Sequence, residues 1–306
     1  MHYETQPVKA GAFTAFQPHF SSAGNCCIDD ANDREAYLAA QRRQADYLLD
    51  QIDCGPHSRI LDIGCGYGRI VEAAKRRGAD ATGISISPPQ VAACRRRGLQ
   101  VHECNYREIF RSGARDHWEG TFDGIVANGS LEHFVQAEDA AKGRDDEMYQ
   151  ELFTICRRLL RPGGKFVTTA IHARKKGQVI PEDVRQDPGI FPPHSDEYHA
   201  ANLHRSFGGW FPVPGQLEQC AQGNFILAEE EDGTHDYYLT SEYWVKRLKR
   251  SFLFKPNAWW SLGRSFLKRP RETYYMIRCL MWDQSWNYQF RAPAPTQLFR
   301  QTWQAV

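Results

Sequence analysis

A glycine-rich turn between two apolar runs constrains the fold of this 306-residue chain more than any other feature. The turn, residues 64–68, reads Gly-Cys-Gly-Tyr-Gly, and residues 60–63 before it read Ile-Leu-Asp-Ile. A helical pattern and a second short strand follow, up to residue 86. Glycines let a backbone approach a ligand closely because no Cβ intervenes, and a helix N-terminus offers unpaired N–H groups. The segment therefore predicts a loop that binds a nucleotide-type cofactor.

The glycine spacing narrows the class of cofactor. The dinucleotide fingerprint is G-x-G-x-x-G, whereas this chain has G-x-G-x-G with Asp62 two residues ahead of the first glycine. This pattern resembles that of the class I methyltransferases, which bind S-adenosylmethionine (SAM), and it disfavours a hydride-transferring dehydrogenase. An aspartate at the strand end can order the loop and meet the cationic methionine end of SAM. The cofactor-binding residues predicted from this loop are Asp62, Gly64, Cys65, Gly66 and Gly68.

Strand-like and helical patterns alternate along most of the chain. This alternation predicts an α/β fold, a Rossmann-like methyltransferase sheet of seven mostly parallel strands flanked by helices. The strand candidates are residues 59–63, 80–86, 99–103, 122–128, 164–170, 225–230 and 298–305, and the clearest helices are 34–52 and 145–160.

Two later segments differ from the rest of the chain in amino-acid composition, and they predict a cap over the active site. Residues 174–215 are rich in Pro, Gly and His, and residues 240–285 are rich in aromatic side chains. We interpret both as insertions over the active site, with most of the rings packed on the core and a few lining a substrate pocket. Residues 1–55 are interpreted as an N-terminal segment and helix that cover the site, and residues 56–306 as the methyltransferase domain.

The amino-acid composition excludes few classes of function. A net charge of +1 gives no reason to expect a nucleic acid as a partner, and the basic runs at 95–97, 246–250 and 268–271 are interpreted as solvated helix faces. No apolar run reaches the roughly twenty residues that span a bilayer, so no transmembrane segment is expected. Nine cysteines, with no zinc spacing and no evident secretory leader, predict reduced thiols in a cytoplasmic protein without a bound metal. Homo-oligomerisation is left open.

Four further segments carry a more specific pattern. Residues 83–90 read Gly-Ile-Ser-Ile-Ser-Pro-Pro-Gln, and residues 130–134 read Ser-Leu-Glu-His-Phe. Residues 211–217 contain Phe-Pro-Val-Pro-Gly, and residues 235–244 begin with His-Asp-Tyr-Tyr and end with Trp. In this order they resemble the motifs of the cyclopropane-fatty-acid synthase family, which includes the mycolic-acid cyclopropane synthases. The resemblance implies that SAM is the cofactor and adds six residues to its site: Ser85, Ile86, Gln90, Asn105, Tyr106 and Asn128.

The same resemblance implies which residues carry the chemistry. Glu132 is the first candidate, either as a base or as one of the residues that hold a bound bicarbonate ion, and His133 is its partner or an independent base. Tyr237 corresponds to the family's tyrosine that closes this site. An N-terminal cysteine also belongs there, and Cys27 or its neighbour Cys26 is roughly placed for it.

One departure from the family bears on the reaction. Members that form cyclopropanes have a histidine near the end of strand five, where this chain has Thr169, and His172 follows three residues later. Either a shift of the strand brings His172 into the site or the anion site is altered. The second case weakens cyclopropanation and favours simple methyl transfer.

These features together predict a SAM-dependent methyltransferase of EC class 2.1.1. The expected acceptor is a carbon, as in an alkene, of a hydrophobic lipid-like or polyketide-like molecule, either free or bound to a carrier. N-methylation of a small-molecule amine is the close alternative. A SAM-binding protein without catalysis is disfavoured by Glu132 and His133, and a nucleic-acid methyltransferase by the absence of an N/D-P-P-Y motif after strand four.

Overall fold

A computed structural model of the protein describes residues 34–111, 113, 115–254 and 256–306. The interpretation of the first 33 residues as a cover over the site, and with it Cys26 and Cys27, lies outside the described residues.

Seven strands form one sheet. Their bounds are β1 (Arg59–Ile63), β2 (Asp80–Ser85), β3 (Gln100–Glu103), β4 (Phe122–Asn128), β5 (Leu160–Ala173), β6 (Phe225–Asp232) and β7 (Thr296–Ala305). The order across the sheet is β3-β2-β1-β4-β5-β7-β6. The first five strands run parallel, and β7 is antiparallel to both of its neighbours. The predicted Rossmann-like sheet is therefore confirmed.

The helices pack on the faces of this sheet and at the edge formed by its carboxyl ends. They are α1 (Arg34–Gln51), α2 (Arg69–Arg76), α3 (Pro88–Arg96), α4 (Ala137–Ala140), α5 (Asp145–Leu159), α6 (Pro181–Arg185), α7 (Asp196–Phe207), α8 (Gln216–Ala221), α9 (Thr234–Phe254), α10 (Pro256–Lys268), α11 (Pro270–Ile277) and α12 (Ser285–Tyr288). Short 3-10 turns include Tyr106–Glu108 and Leu131–His133, and a π-helical turn spans Arg278–Trp282.

Helix α5 shows how the local sequence positions an element. Three acidic residues occupy its first turn and two arginines its last turn, an arrangement that complements the helix dipole. Its apolar side chains recur at helical spacing and bury one face against the sheet. Phe153 on that face contacts the fully buried ring of Trp303, and the two centroids are 5.0 Å apart. The Trp303 Nε1–H donates to Thr168 Oγ1 at 3.1 Å, so the polar end of the ring is satisfied within the core.

Strand β5 is longer than the sequence predicts. The expected strand covered residues 164–170, but β5 pairs with β7 without interruption from Lys165 to Ala173. The antiparallel ladder to β7 therefore continues beyond the last β4 pairing, between Asn128 and Thr169. As a result His172 lies within a regular strand, where successive side chains point to opposite faces.

The late helices pack partly on α1 and partly face solvent. Tyr37 and Ala40 of α1 form a buried cluster with Tyr243, Trp244 and other residues of α9 and α11. The expectation that most aromatic rings of the 240–285 segment pack on the core is wrong in detail. Six of the rings are exposed: Phe254, Trp259, Trp260, Phe266, Tyr274 and Trp282.

Candidate active site

The glycine loop connects β1 to α2 at the carboxyl edge of the sheet, where β1 and β4 are neighbours. Its backbone N–H groups at Gly64 and Cys65 both donate to the Ile84 carbonyl, each at 3.0 Å. Gly64, Gly66 and Gly68 all have positive φ, which favours glycine. A Cβ on Gly64 would lie 2.7 Å from the Cβ of Ser130, so the loop packs tightly against the segment that follows β4.

Asp62 is a buried carboxylate that is suited to bind a cationic group of the cofactor. It lies near the end of β1 and is almost fully buried. Its carboxylate forms no hydrogen bond or ion pair with a described residue. Burial raises the pKa of Asp62 to about 8, with a smaller contribution from the nearby Cys94 thiol. A cationic ligand bound here would offset that cost, so the residue fits the amino end of SAM.

The end of β2 supplies hydroxyl, amide and apolar groups beside the loop. The Ser85 hydroxyl donates to Gln90 Oε1 at 2.9 Å and accepts from the Ser87 backbone N–H at 3.2 Å. These bonds fix the turn that leads into α3. The intervening Ile86 side chain is largely exposed, which is unusual for isoleucine and leaves an apolar surface for a planar ring.

Two further predicted cofactor residues follow β3. Asn105 Oδ1 accepts from the Arg107 backbone N–H at 3.1 Å, and a second lone pair of that oxygen stays available for a ligand amino group. Tyr106 is buried in the core, where its ring lies 4.7 Å from that of Phe134. Tyr106 therefore packs against the segment that follows β4.

Asn128 ends β4 and joins three elements. Its Oδ1 accepts from Gln44 Nε2 of α1 at 3.3 Å and from the Thr169 hydroxyl of β5. Thr169 Oγ1 in turn accepts from the Gly129 backbone N–H at 3.0 Å. The side chain in the position expected for a histidine is thus engaged with the backbone after β4.

An apolar cavity of about 240 Å³ opens beside this edge of the sheet. Its walls come from the segment after β4, from the end of β5, from α7 and from α9 and α12 of the cap. The aromatic members of the lining are Phe207, Trp210, Phe211, Tyr237, Trp244, Trp286 and Tyr288. Its aromatic and apolar walls are those of a site for a hydrophobic small molecule.

Glu132 lines this cavity as a buried acid. It lies in the 3-10 turn Leu131–His133 and its side chain is 5% exposed. Oε2 has no hydrogen-bond partner among the residues that the structure describes. Burial raises the pKa of Glu132 to about 7, partly opposed by a hydrogen bond to its own backbone. A carboxylate with this pKa can take up a proton near neutral pH.

His133 and Tyr237 line the same cavity. His133 is exposed at its rim, whereas Tyr237 of α9 is buried. Burial, with the Glu132 carboxylate as a further cause, raises the pKa of the Tyr237 phenol far above its usual range. Tyr237 therefore stays protonated and can donate a hydrogen bond.

The structure does not bring His172 to the cavity. Its neighbours Ile171 and Ala173 line the cavity, whereas His172 lies on the opposite face of β5, edge-on to Phe299 with the ring centroids 5.1 Å apart. Burial lowers the pKa of His172 to about 4, so its ring is neutral. The strand shift considered for His172 is absent because β5 keeps its regular register with β7.

Gly209, in the segment that follows α7, contacts the backbone of Glu132 and was not predicted from the sequence. The Trp210 backbone N–H donates to the Glu132 carbonyl at 2.9 Å. A Cβ on Gly209, whose φ is +83°, would lie 2.1 Å from that same carbonyl oxygen. Only glycine permits so close a contact.

We expect Gly209→Ala to displace Glu132 without touching the cofactor loop. The predicted result is a loss of about tenfold or more in kcat, since small displacements of catalytic groups are costly, with unchanged SAM affinity by calorimetry. Gly177→Ala is the matched control, because Gly177 also has positive φ but has nothing within 4 Å of its Cβ position. An equal effect of both variants would indicate general strain only.

A polar wall on the cap side of the cavity was also not predicted. His199 of α7 stacks on Tyr288 of α12 with the ring centroids 3.8 Å apart, and its Nδ1 lies 2.9 Å from Ser285 Oγ. Its Nε2 is buried and has no partner among the described residues. Burial and the nearby His194 lower the pKa of His199 to about 4, so the ring is neutral. Trp286 Nε1 is likewise buried without a partner in the described part of the chain.

Comparison with known proteins identifies the family. Residues 21–255 match the model of the mycolic acid cyclopropane synthetase family. This match covers most of the chain, and the protein therefore belongs to that family, a group of SAM-dependent methyltransferases. The predicted resemblance is confirmed.

Individual relatives agree with this assignment. The chain is 26% identical to the cyclopropane-fatty-acyl-phospholipid synthase of Escherichia coli K12 over 81% of its own length, but spans only 55% of that enzyme. It is also 26% identical to a ubiquinone biosynthesis O-methyltransferase of Xanthomonas oryzae over 56% of this chain and 67% of the relative. The mycolic acid cyclopropane synthase CmaA1, crystallised with SAH and CTAB, has the same fold, with a TM-score of 0.70 at 17% identity over 99% of both chains.

Proposed function

We propose that the protein transfers the methyl group of SAM to a carbon of a hydrophobic, lipid-like or polyketide-like acceptor. The observation that carries this proposal is the buried carboxylate of Glu132 on the wall of an aromatic-lined cavity, with its Oε2 unpartnered among described residues. The neighbouring Ser130 packs against Gly64 of the glycine loop. Family membership supports it. When bound, SAM supplies an electrophilic methyl group on a sulfonium.

The residues around the glycine loop fit this cofactor. Asp62 would receive its cationic amino group, and the backbone at Cys65 and Gly66 would border its methionine part. Ser85, Ile86 and Gln90 at the end of β2 would meet the ribose and one face of the adenine. Asn105 would accept from the adenine amino group through its second lone pair.

The cavity residues would control the acceptor. Attack by an alkene carbon on the methyl group would form a C–C bond while the methyl–sulfur bond breaks and S-adenosylhomocysteine leaves with the electron pair. A positive charge would then remain on the neighbouring acceptor carbon. Trp244, Trp286 and Tyr237 would stabilise that charge through their ring faces and exclude water. Loss of a proton to Glu132 would then restore a neutral methylated product.

The altered anion site beside Glu132 favours C-methylation over cyclopropanation. The sequence leaves bicarbonate open as an additional ligand. However, Thr169 is engaged with Asn128 and the Gly129 N–H, and His172 faces away from the cavity. Neither side chain is available to complete an anion site beside Glu132. We therefore propose that this protein uses the carboxylate itself as the base.

N-methylation of a small-molecule amine is the second candidate. A carboxylate together with aromatic walls also suits an amine, because the rings attract its cationic form and the carboxylate removes its proton. Because one relative is an O-methyltransferase, acceptors that carry a hydroxyl group are also worth testing.

Product analysis tests the proposal. The purified protein is incubated with methyl-labelled SAM and a panel of unsaturated lipids, polyketide-like alkenes, amines and phenols, and products are identified by mass spectrometry and NMR. A label on carbon supports the proposal. A label on nitrogen or oxygen replaces it by the corresponding alternative.

The polar wall suggests that the acceptor also carries a hydroxyl or carbonyl group. We expect His199→Phe to raise KM for such an acceptor about fivefold, since a lost hydrogen bond costs about 1 kcal/mol, and to leave KM for an analogue without that group unchanged. Ser285→Ala is the control, because it removes the Nδ1 contact and leaves the His199 ring in place. Equal KM values for both acceptors with His199→Phe would contradict this role.

We also infer the domain organisation from this site. Residues 56–306 would form the methyltransferase domain, with the insertions at about 174–215 and 240–285 acting as its cap. Residues 34–55, the described part of the N-terminal segment, would border the site, since Gln44 of α1 donates to Asn128. The acceptor, free or carrier-bound, would enter beneath the cap.

A further inference from the structure

Helix α10 presents an exposed apolar surface. None of its thirteen residues, all described, is buried. Trp260 is 71% and Leu267 89% exposed, and Phe254 at the end of α9 is 75% exposed. Soluble proteins rarely leave so many large apolar side chains together in water, and such a patch marks an interaction site.

One edge of this helix is fixed to the cap, which leaves the other edge open. Trp259 Nε1 donates to the Phe252 carbonyl of α9 at 2.6 Å, and the two rings meet edge to face at 5.3 Å. Ala258 and Leu262 pack at the margin of the cluster around Trp244. The open edge carries Trp260 and Leu267, which lie on one side of the helix, and the end of α9 adds the exposed Leu253 and Phe254. We call these four residues the α10 apolar face.

The surroundings of the α10 apolar face are strongly basic. Residues 246–271 contain nine lysines and arginines and no acidic residue, although the whole chain has a net charge of only +1. The basic runs at 246–250 and 268–271, which the sequence alone indicates as solvated helix faces, both lie in this region. The nine are Lys246, Arg247, Lys249, Arg250, Lys255, Arg264, Lys268, Arg269 and Arg271.

We propose that the α10 apolar face docks the protein on the surface of an anionic lipid bilayer. A helix with tryptophan and leucine on one side and lysine and arginine around them suits the interface, where rings enter the headgroup layer and cations meet anionic lipid. A second copy of this chain is a poorer occupant, because two such basic surfaces repel each other. None of the described helices is long and apolar enough to cross a membrane, so this contact is interfacial.

The docking surface and the cavity share one helix. Tyr237 and Trp244 of α9 line the cavity, and Phe254 ends the same helix. Trp244 and Phe254 are ten positions apart, which corresponds to about 15 Å along the helix axis. Docking would therefore hold the cavity close to the bilayer, from which a hydrophobic acceptor can reach it without crossing bulk water.

Co-sedimentation with vesicles tests the proposal without any need for turnover. The full-length protein is mixed with vesicles of phosphatidylcholine alone or with about a quarter phosphatidylglycerol. We expect binding to the anionic vesicles only, weakened by added salt. Trp260→Glu/Leu267→Glu is expected to lower the partition coefficient about tenfold or more, and Lys249→Glu/Arg250→Glu/Arg264→Glu/Lys268→Glu at least about 100-fold.

Matched controls separate docking from general effects. Ile226→Glu changes an apolar residue that is 61% exposed on the edge strand β6, and Arg76→Glu/Arg96→Glu reverses two exposed charges on α2 and α3. Both are expected to bind like the wild type, and circular dichroism checks that every variant is folded. Equal binding to neutral vesicles, or full binding by the α10 variants, would overturn the proposal. The absence of vesicle binding would also overturn the proposal. In that case dimerisation in the ultracentrifuge would indicate a second copy as the occupant, and capture of an acidic carrier protein would indicate that partner.

Discussion

Replacement of Glu132 by glutamine is expected to leave SAM binding intact and to remove most of the methyl transfer. Glutamine keeps the size of the side chain but cannot accept the proton that the acceptor must lose. Loss of a general base commonly costs about 10²–10⁴-fold in rate. The measurement is kcat with the best acceptor, together with SAM affinity by calorimetry.

The control for Glu132→Gln is Glu138→Gln, an exposed carboxylate on α4 only six residues away. It should behave as the wild type. Near-normal turnover in Glu132→Gln would show that another group removes the proton.

The pH dependence provides a second measure of the same carboxylate. Because burial raises the pKa of Glu132 to about 7, the base is protonated below that pH, and kcat/KM should fall there by about tenfold per pH unit.

The free energy of unfolding should change with pH in the opposite direction, because proton binding by Glu132 is linked to folding. A carboxyl group with a raised pKa in the folded state stabilises the protein below its unfolded value of 4.5, and this contribution is lost as the pH rises through about 7. Glu132→Gln should therefore gain stability relative to the wild type at alkaline pH.

Replacement of Gly64 by valine is expected to abolish SAM binding. Its φ is +79°, which a β-branched residue tolerates poorly, and its Cβ would lie 2.7 Å from that of Ser130. The loop would have to move away from both β4 and the cofactor. We expect at least about a 100-fold loss of affinity, measured by calorimetry.

Gly98→Val is the matched control for Gly64→Val. Gly98 also has positive φ, at +70°, but nothing lies within 4 Å of its Cβ position. It should lose some stability through backbone strain and keep its SAM affinity. Retained SAM binding in Gly64→Val would contradict the assignment of the loop.

The sheet and the cofactor loop were readable from the sequence because both depend on local signals. Apolar runs bounded by turn residues predicted all seven strands, and the spacing of Gly64, Gly66 and Gly68 after Asp62 indicated the loop. The extra residues of β5 were missed, since they depend on pairing with β7 at the far end of the chain.

The cavity could not be predicted in the same way, because its walls meet only in three dimensions. His199 and Ser285 are 86 positions apart, yet their side chains are in hydrogen-bonding contact. Gly209 has no sequence motif of its own, and its importance arises from contact with the Glu132 carbonyl. The exposed rings of α10 were misjudged for a related reason: helical spacing predicts an apolar face but not whether anything covers it.

The most direct test compares label transfer from methyl-labelled SAM in three proteins side by side: wild type, Glu132→Gln and Gly64→Val. We expect a carbon-labelled product with the wild type alone, while Glu132→Gln still binds SAM and Gly64→Val does not. Formation of the same product by Glu132→Gln at the wild-type rate would contradict the role of Glu132 as the base.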